Sequence, residues 1–204
     1  PKARSMTWSG TQKKLALYER NGQLDQWNDW LAESKTLFFK YNRCRSFPAF
    51  TNLVNGTDGF LQQNMADRFV LDLRDNSGGN SLIFTSLRLL LRGNAELNKK
   101  GKLFVIIGRK TFSSGLINAL EMRQTAAIFF GEATAGRPNH FGELKSFVLP
   151  NCQQQLFYST KYFRYMAGSN PDTFKPDVDV AAPSFQQWQN GHDPVLEAII
   201  KYKR

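Results

Sequence analysis

Scarcity is informative in this chain. Only two cysteines occur in 204 residues, Cys44 and Cys152. Far apart, they match neither a zinc pattern nor a disulfide-dense scaffold, which leaves a single bridge or, as the simpler reading, two half-buried thiols. Histidine is equally rare, with His140 and His192 alone. No apolar run approaches the ~20 residues a membrane-spanning helix requires, and the opening "PKARSMTWSG" carries neither an initiator Met nor a charged-then-apolar leader pattern. The chain is therefore expected to be soluble, without a membrane span, and a trimmed or mature product. Internal repeats and low-complexity tracts are absent too. No motif points to a metal or a cofactor.

Acidic residues are outnumbered, 17 against 27 Lys and Arg, for a formal net charge of +10. Such an excess can neutralise phosphates. Its distribution argues against nucleic acid as a partner. Lys2, Arg4, Lys13 and Lys14 sit near the start, Arg92, Lys99, Lys100 and Lys102 around one turn, and Lys201, Lys203 and Arg204 at the end, with no recognisable nucleic-acid module. Hydrophobic residues make up 41% with 17 Phe, a globular composition sufficient for one main core at this length. Oligomeric state is left open.

Residues 1–35 are polar and rich in Trp and Gln. Leu24, Trp27, Trp30 and Leu31 fall at spacings of three and four, which predicts a short amphipathic helix in an N-terminal helical appendage, with the core spanning 36–204. "TLFFKYNRC" then reads as a strand and "PAFTNLVNGTDGFLQQN" as a helix. "RFVLDLRDNSGGNS" is an apolar strand running into an Asp/Asn/Gly turn, and "SLIFTSLRLLL" has helical spacing. "KLFVIIG" delivers the chain to "RKTFSSG" and the helix "LINALEMR", and "AAIFFGE" is a third buried strand. Strand, turn and helix recurring at this pace predict an α/β fold with a largely parallel sheet. "KSFVL" and "QLFYSTKYF" around "PNCQQ" predict an antiparallel hairpin. The final "GHDPVLEAIIKYK" has Asp193 as N-cap, Pro194 at the first helical position and Val195, Leu196, Ile199 and Ile200 on one face.

Ser113 stands at a strand-to-helix junction, where open α/β sheets place their ligands and a helix N-terminus offers free N–H groups. Its hydroxyl could attack a substrate there. Equally, Ser113 or Ser114 could simply cap the helix. The turn "DNSGGN" follows its strand as "TFSSG" follows its own, so in a parallel sheet the two can converge at one edge. Gly78 and Gly79 would then let backbone N–H groups approach a substrate carbonyl, or would serve only a tight turn. The loop "GEATAGRPNHFGE" contributes Arg137, His140 and Glu143. His140 is a candidate general base, whereas His192 beside a helix cap reads as structural.

Together, "FVLDLRDNSGGNS", "LFVIIGRKTFSSGLINAL", "IFFGEATAGRPNHFGE", "FKPDVDV" and "GHDPVLEAI" resemble, in order and spacing, the C-terminal-processing (tail-specific) serine proteases. Relatives of that family include the tricorn core and the retinoid-binding modules of the interphotoreceptor protein. The likeness covers about residues 68–200, and 36–67 fit the family's opening strand and helix more loosely. It implies a ClpP/crotonase-like α/β core, Ser113 as nucleophile, and an oxyanion hole from the N–H groups of Ser114 and Gly79. A peptide or protein would be the substrate and export the compartment. Two departures stand out. Where many members carry a lysine base, this chain has Arg137, whose pKa above 12 bars it from that role. Either another group takes the proton, with His140 the nearest candidate and Glu143 its orienter, or hydrolysis is lost. Tricorn-type relatives take their His from an earlier segment, and "FFKYNRC" offers none. Nor is a PDZ domain found ahead of the core. Gly78 and Arg137 are expected to contact substrate, Arg137 through its planar donor fork. Three functions fit: a serine peptidase, a catalytically impaired peptide- or lipophile-binding module, and a crotonase-like acyl-thioester enzyme binding coenzyme A.

Overall fold

The structure, a computed structural model, describes residues 14–203. Lys2, Arg4 and Lys13 of the first basic group, and Arg204 of the last, lie outside the described residues. Six strands form one sheet in the order β1-β2-β3-β4-β5-β8, and two more form a separate hairpin, β6-β7. The strands are β1 (Gln26–Leu31), β2 (Thr36–Tyr41), β3 (Arg68–Asp72), β4 (Leu103–Ile107), β5 (Ile128–Gly131), β6 (His140–Val148), β7 (Gln155–Phe163) and β8 (Val178–Asp179). The helices are α1 (Phe47–Gln63), α2 (Thr85–Gly93), α3 (Ser114–Met122), α4 (Phe185–Gln189) and α5 (Pro194–Lys201). Neighbours from β2 to β8 run parallel. The mixed α/β class with a mainly parallel sheet, flanking helices and an antiparallel hairpin is as expected from the sequence.

Helices α1, α2 and α3 each link two adjacent parallel strands. Because β2, β3, β4 and β5 are added in one direction, crossovers of one hand place all three helices on the same face. There Phe39, Leu71, Val105 and Phe129 of the strands meet Phe50 and Val54 of α1, Leu87 and Leu91 of α2, and Leu116 and Met122 of α3. The alternate strand residues Phe38, Val70, Phe104, Ile106 and Phe130 face the other way and pack on Val195, Leu196 and Ile199 of α5. Burial on both faces is why these strands read as continuous apolar runs instead of alternating ones.

The helix expected over Leu24–Leu31 is instead strand β1, paired antiparallel to β2 with Trp27 opposite Lys40 and Trp30 opposite Leu37. Residues three apart share a helix face but lie on opposite faces of a strand. With both sheet faces covered, each tryptophan finds its own apolar layer: Trp27 meets Phe38 at a tilt with ring centres 5.5 Å apart, and Trp30 meets Phe60 of α1 edge-on at 5.2 Å. The cysteines form no bridge; Cys44 is buried and Cys152, at the hairpin tip, exposed.

One lysine interrupts the apolar strand β2. Lys40 is fully buried, with its ammonium 2.8 Å from Asp75 and 3.2 Å from Asp72. Arg74 donates to Asp72 at 3.1 Å and to both carboxylate oxygens of Asp193 at 2.9 Å. Asp193 in turn caps α5 by accepting the Leu196 N–H at 3.2 Å. This chain of charges fastens α5 to the carboxyl edge of the sheet, where the site described next is built.

Candidate active site

Two turns meet at that edge, after β3 and after β4, and three hydrogen bonds in sequence register lace them together. Thr111 Oγ1 donates to the Leu73 carbonyl at 2.8 Å, the Phe112 N–H to the Asn76 carbonyl at 2.9 Å, and Ser114 Oγ to the Gly79 carbonyl at 2.6 Å. The convergence expected of the two turns is thus present. It is also tight: a Cβ on Gly78 would lie 2.8 Å from the Ser113 Cβ and 3.1 Å from the Ser114 nitrogen.

Ser113 occupies the N-cap position of α3 without capping it; its side chain makes no cap hydrogen bond. Its backbone has φ 50° and ψ −126°, outside the extended region that capping residues adopt and costly for any residue with a Cβ. A sharp strand-to-helix turn of this kind lifts a hydroxyl clear of the sheet edge. Ser114 does not cap either, its hydroxyl being spent on Gly79. Among the described residues, neither the Gly79 nor the Ser114 N–H donates to a protein acceptor, and Gly79 is exposed. Two N–H groups without a protein acceptor therefore belong to the turns that meet at a half-buried serine.

Gly78 has a different position from Gly79. It is buried, its N–H donates to Asn76 Oδ1 at 2.9 Å and its carbonyl accepts the Cys44 N–H at 2.9 Å. With both polar groups engaged it leaves nothing for a substrate; what it supplies is room beside Ser113. Cys44 lies behind the turn, its thiol taking an N–H from Asn118 at 3.3 Å. Burial pushes that thiol above its ordinary pKa, with bonds to Tyr41, Asn76 and Asn118 opposing, so it is neutral and no rival nucleophile.

The third loop reaches the site through Phe112, whose ring would stand 2.8 Å from a Cβ on Gly136. His140 follows, with its ring centre 6.5 Å from that of Phe112 and 5.8 Å from that of Phe163. Its Nδ1 lies 3.1 Å from the Arg137 carbonyl and 3.3 Å from the Pro138 carbonyl. Two acceptors there assign the proton to Nδ1 and leave Nε2 as the acceptor nitrogen. No hydrogen bond joins His140 to Ser113 among the described residues; the Phe112 ring is the nearest link between them.

Glu143 does not orient His140. It lies in the left-handed region with φ 56°, and its carboxylate sits 3.8 Å from Lys161 across the hairpin. Arg137 points to solvent and pairs with Asp172. His192 bonds Glu197 of α5 at 3.0 Å. Asn76, fully buried between the turns, was not singled out by sequence, although it stands inside the motif "DNSGGN".

No protein-family model matches the chain, and no curated protein matches it. Solved structures do. A candidate peptidase from Parabacteroides merdae ATCC 43184 superposes with TM-score 0.62 and 19% identity, over 94% of this chain and 66% of its own. A candidate S41 protease from Bacteroides fragilis NCTC 9343 gives 0.57 and 16%, over 86% and 56%. A photosystem II D1 C-terminal processing protease gives 0.53 and 15%, over 81% and 46%. The chain spans roughly half to two-thirds of the length of these structures. At such identities the likeness speaks to architecture, and the architecture is that of the C-terminal-processing proteases.

Proposed function

We propose that the protein is a serine-type peptidase in which Ser113 attacks the substrate carbonyl. The observation that carries this reading is the Ser113 backbone, held in a strained conformation where two turns with free N–H groups meet. Strain of 1 to 3 kcal/mol, in order of magnitude, persists only where the surroundings impose it, and it gathers at functional sites. As Ser113 Oγ bonds to the carbonyl carbon, its proton passes to a base and the carbonyl oxygen becomes an oxyanion facing the Gly79 and Ser114 N–H groups. Collapse of that intermediate expels the amine, which takes the proton, and water then hydrolyses the acyl-serine by the same route. His140 Nε2 is our candidate base, with the carbonyls of Arg137 and Pro138 holding the ring in place of a carboxylate. Hydrogen bonds between nucleophile and base are often long before substrate arrives, and the exposed Phe112 ring is the group that must yield.

One observation favours the second reading, a binding module without turnover: the Ser113 hydroxyl has no base hydrogen-bonded to it among the described residues. Peptide hydrolysis by wild type, Ser113→Ala and His140→Gln separates the two. The peptidase reading expects no turnover in Ser113→Ala and a loss of roughly a hundredfold in His140→Gln. An inert wild type that still binds peptide establishes the binding module, and full activity in His140→Gln removes it as base. We further propose export, on the sequence resemblance; finding the protein in the cytosol alone contradicts that.

A further inference from the structure

Asn76 belongs to neither strand, yet all of its polar groups are engaged, two within its own turn, one at the end of β2 and one in the turn after β4. Its side-chain Oδ1 accepts the Gly78 N–H at 2.9 Å, and its Nδ2 donates to the Tyr41 carbonyl at the end of β2 at 3.0 Å. Its own carbonyl accepts the Phe112 N–H, and its own N–H donates to the Leu73 carbonyl, both at 2.9 Å. Gly115 of α3 lies so close that a Cβ there would stand 2.5 Å from the Asn76 carbonyl oxygen.

We propose that Asn76 is the positioning residue of the oxyanion site: by holding the Gly78 N–H, its side-chain amide fixes the glycine pair so that the Gly79 N–H stays free to donate. The inference rests on the reading of Ser113 as nucleophile. A Gly-Gly pair has little conformational preference of its own, and here φ is +108° at Gly78 and +134° at Gly79. The orientation must be imposed from outside. Three bonds impose it: Asn76 Oδ1 on the Gly78 N–H, the Cys44 N–H on the Gly78 carbonyl, and Ser114 Oγ on the Gly79 carbonyl. Of these partners Asn76 alone also holds Phe112, the residue before the nucleophile, through its backbone carbonyl, so one buried residue touches both halves of the site, its side chain on the glycine turn and its main chain on the serine turn.

The chemistry of the position is specific. One end of the fully buried side chain must accept and the other donate. Leucine fills the volume but leaves the Gly78 N–H and the Tyr41 carbonyl unpaired. Aspartate keeps the acceptor and regains a donor only when protonated, a state that burial favours. A turned Gly79 N–H weakens the transition state without touching ground-state contacts, so kcat falls while KM holds.

Steady-state peptide hydrolysis tests this in wild type, Asn76→Leu and Asn76→Asp, with Ser113→Ala as blank and a cooperative melt to confirm folding. Inhibition by a peptide boronic acid, a tetrahedral mimic, is compared with that by the matching peptide amide. Asn76→Leu is expected to lower kcat about a hundredfold, the effect of one oxyanion donor, with KM unchanged. Its preference for the boronic acid over the amide should shrink by a similar factor. Asn76→Asp should recover relative to wild type as pH falls from about 8 to about 5 and its carboxyl protonates. An active wild type with kcat unchanged in Asn76→Leu overturns this inference alone; an inert wild type overturns the nucleophile reading and this with it. Should Asn76→Leu fail to fold, Asn76→Asp decides: a deficit equal at both pH values overturns the proposal.

Discussion

The hydroxyl of Ser114 donates to the carbonyl of Gly79 at 2.6 Å, so the residue next to the candidate nucleophile braces the glycine turn across from it. The side chain and the backbone N–H of Ser114 thus have separate duties, one structural and one open to substrate. Ser114→Ala should separate them. The Gly79 carbonyl loses its partner, at a cost of about 0.5–1.5 kcal/mol for an exposed glycine, while the Ser114 N–H stays. Urea denaturation should record that loss, and peptide hydrolysis should drop by roughly tenfold, about 1.4 kcal/mol of barrier, in contrast to the abolition expected of Ser113→Ala.

Gly78 makes room and holds a backbone conformation that side chains resist. Gly78→Ala puts a Cβ 2.8 Å from that of Ser113 at φ +108°, so one of the two turns must move. A stability loss of at least about 2 kcal/mol and loss of hydrolysis are expected, by thermal melt and peptide assay. Wild-type activity in Gly78→Ala contradicts the packing described.

Much of this was legible in the residues. The three strand-turn-helix junctions stand out because strands covered on both faces are written as apolar runs, and Ser113 follows one of them directly. Strand β1 reads as a helix because Trp27 and Trp30 sit three apart, a spacing that a helix and a doubly covered strand both satisfy. Asn76 was in plain view inside "DNSGGN", but its partners Tyr41 and Phe112 each lie some 35 residues away, and only the fold brings them together. Lys40 carries a signal of its own: a lysine inside "LFFKY" must find a carboxylate or stay out of the core. The place of Glu143 depends on a local left-handed turn in the hairpin that no spacing rule reports.

Among the described residues, Lys40 is the one ammonium buried between Asp72 and Asp75. Lys40→Met removes it and strands negative charge, which should cost about 3–5 kcal/mol. Adding Asp75→Asn should restore part of the loss, because the two residues interact directly. Chemical denaturation of the single and double variants measures both effects, and strictly additive losses contradict the coupling.

Acid stability follows from Asp75. Burial pushes its carboxyl up, but Lys40, Lys110 and Arg74 together outweigh burial and hold it below the ordinary carboxylate value. A carboxyl depressed in the folded state contributes stability that is complete above its unfolded pKa, about 4, and is lost as pH falls through the lower folded value. Melting temperature should therefore hold from neutral pH down to about 5 and fall below about 4, and Asp75→Asn should flatten that fall.

The central claim is that Ser113 is an activated nucleophile, and covalent capture tests it most directly. Wild-type protein is treated with a fluorophosphonate, its intact mass is read, and the adduct is located by peptide mapping. The account predicts one phosphonyl group per chain on Ser113, formed at a rate that falls with His140→Gln and absent from Ser113→Ala. A folded wild type that stays unlabelled, or an adduct on another residue that persists in Ser113→Ala, would contradict it.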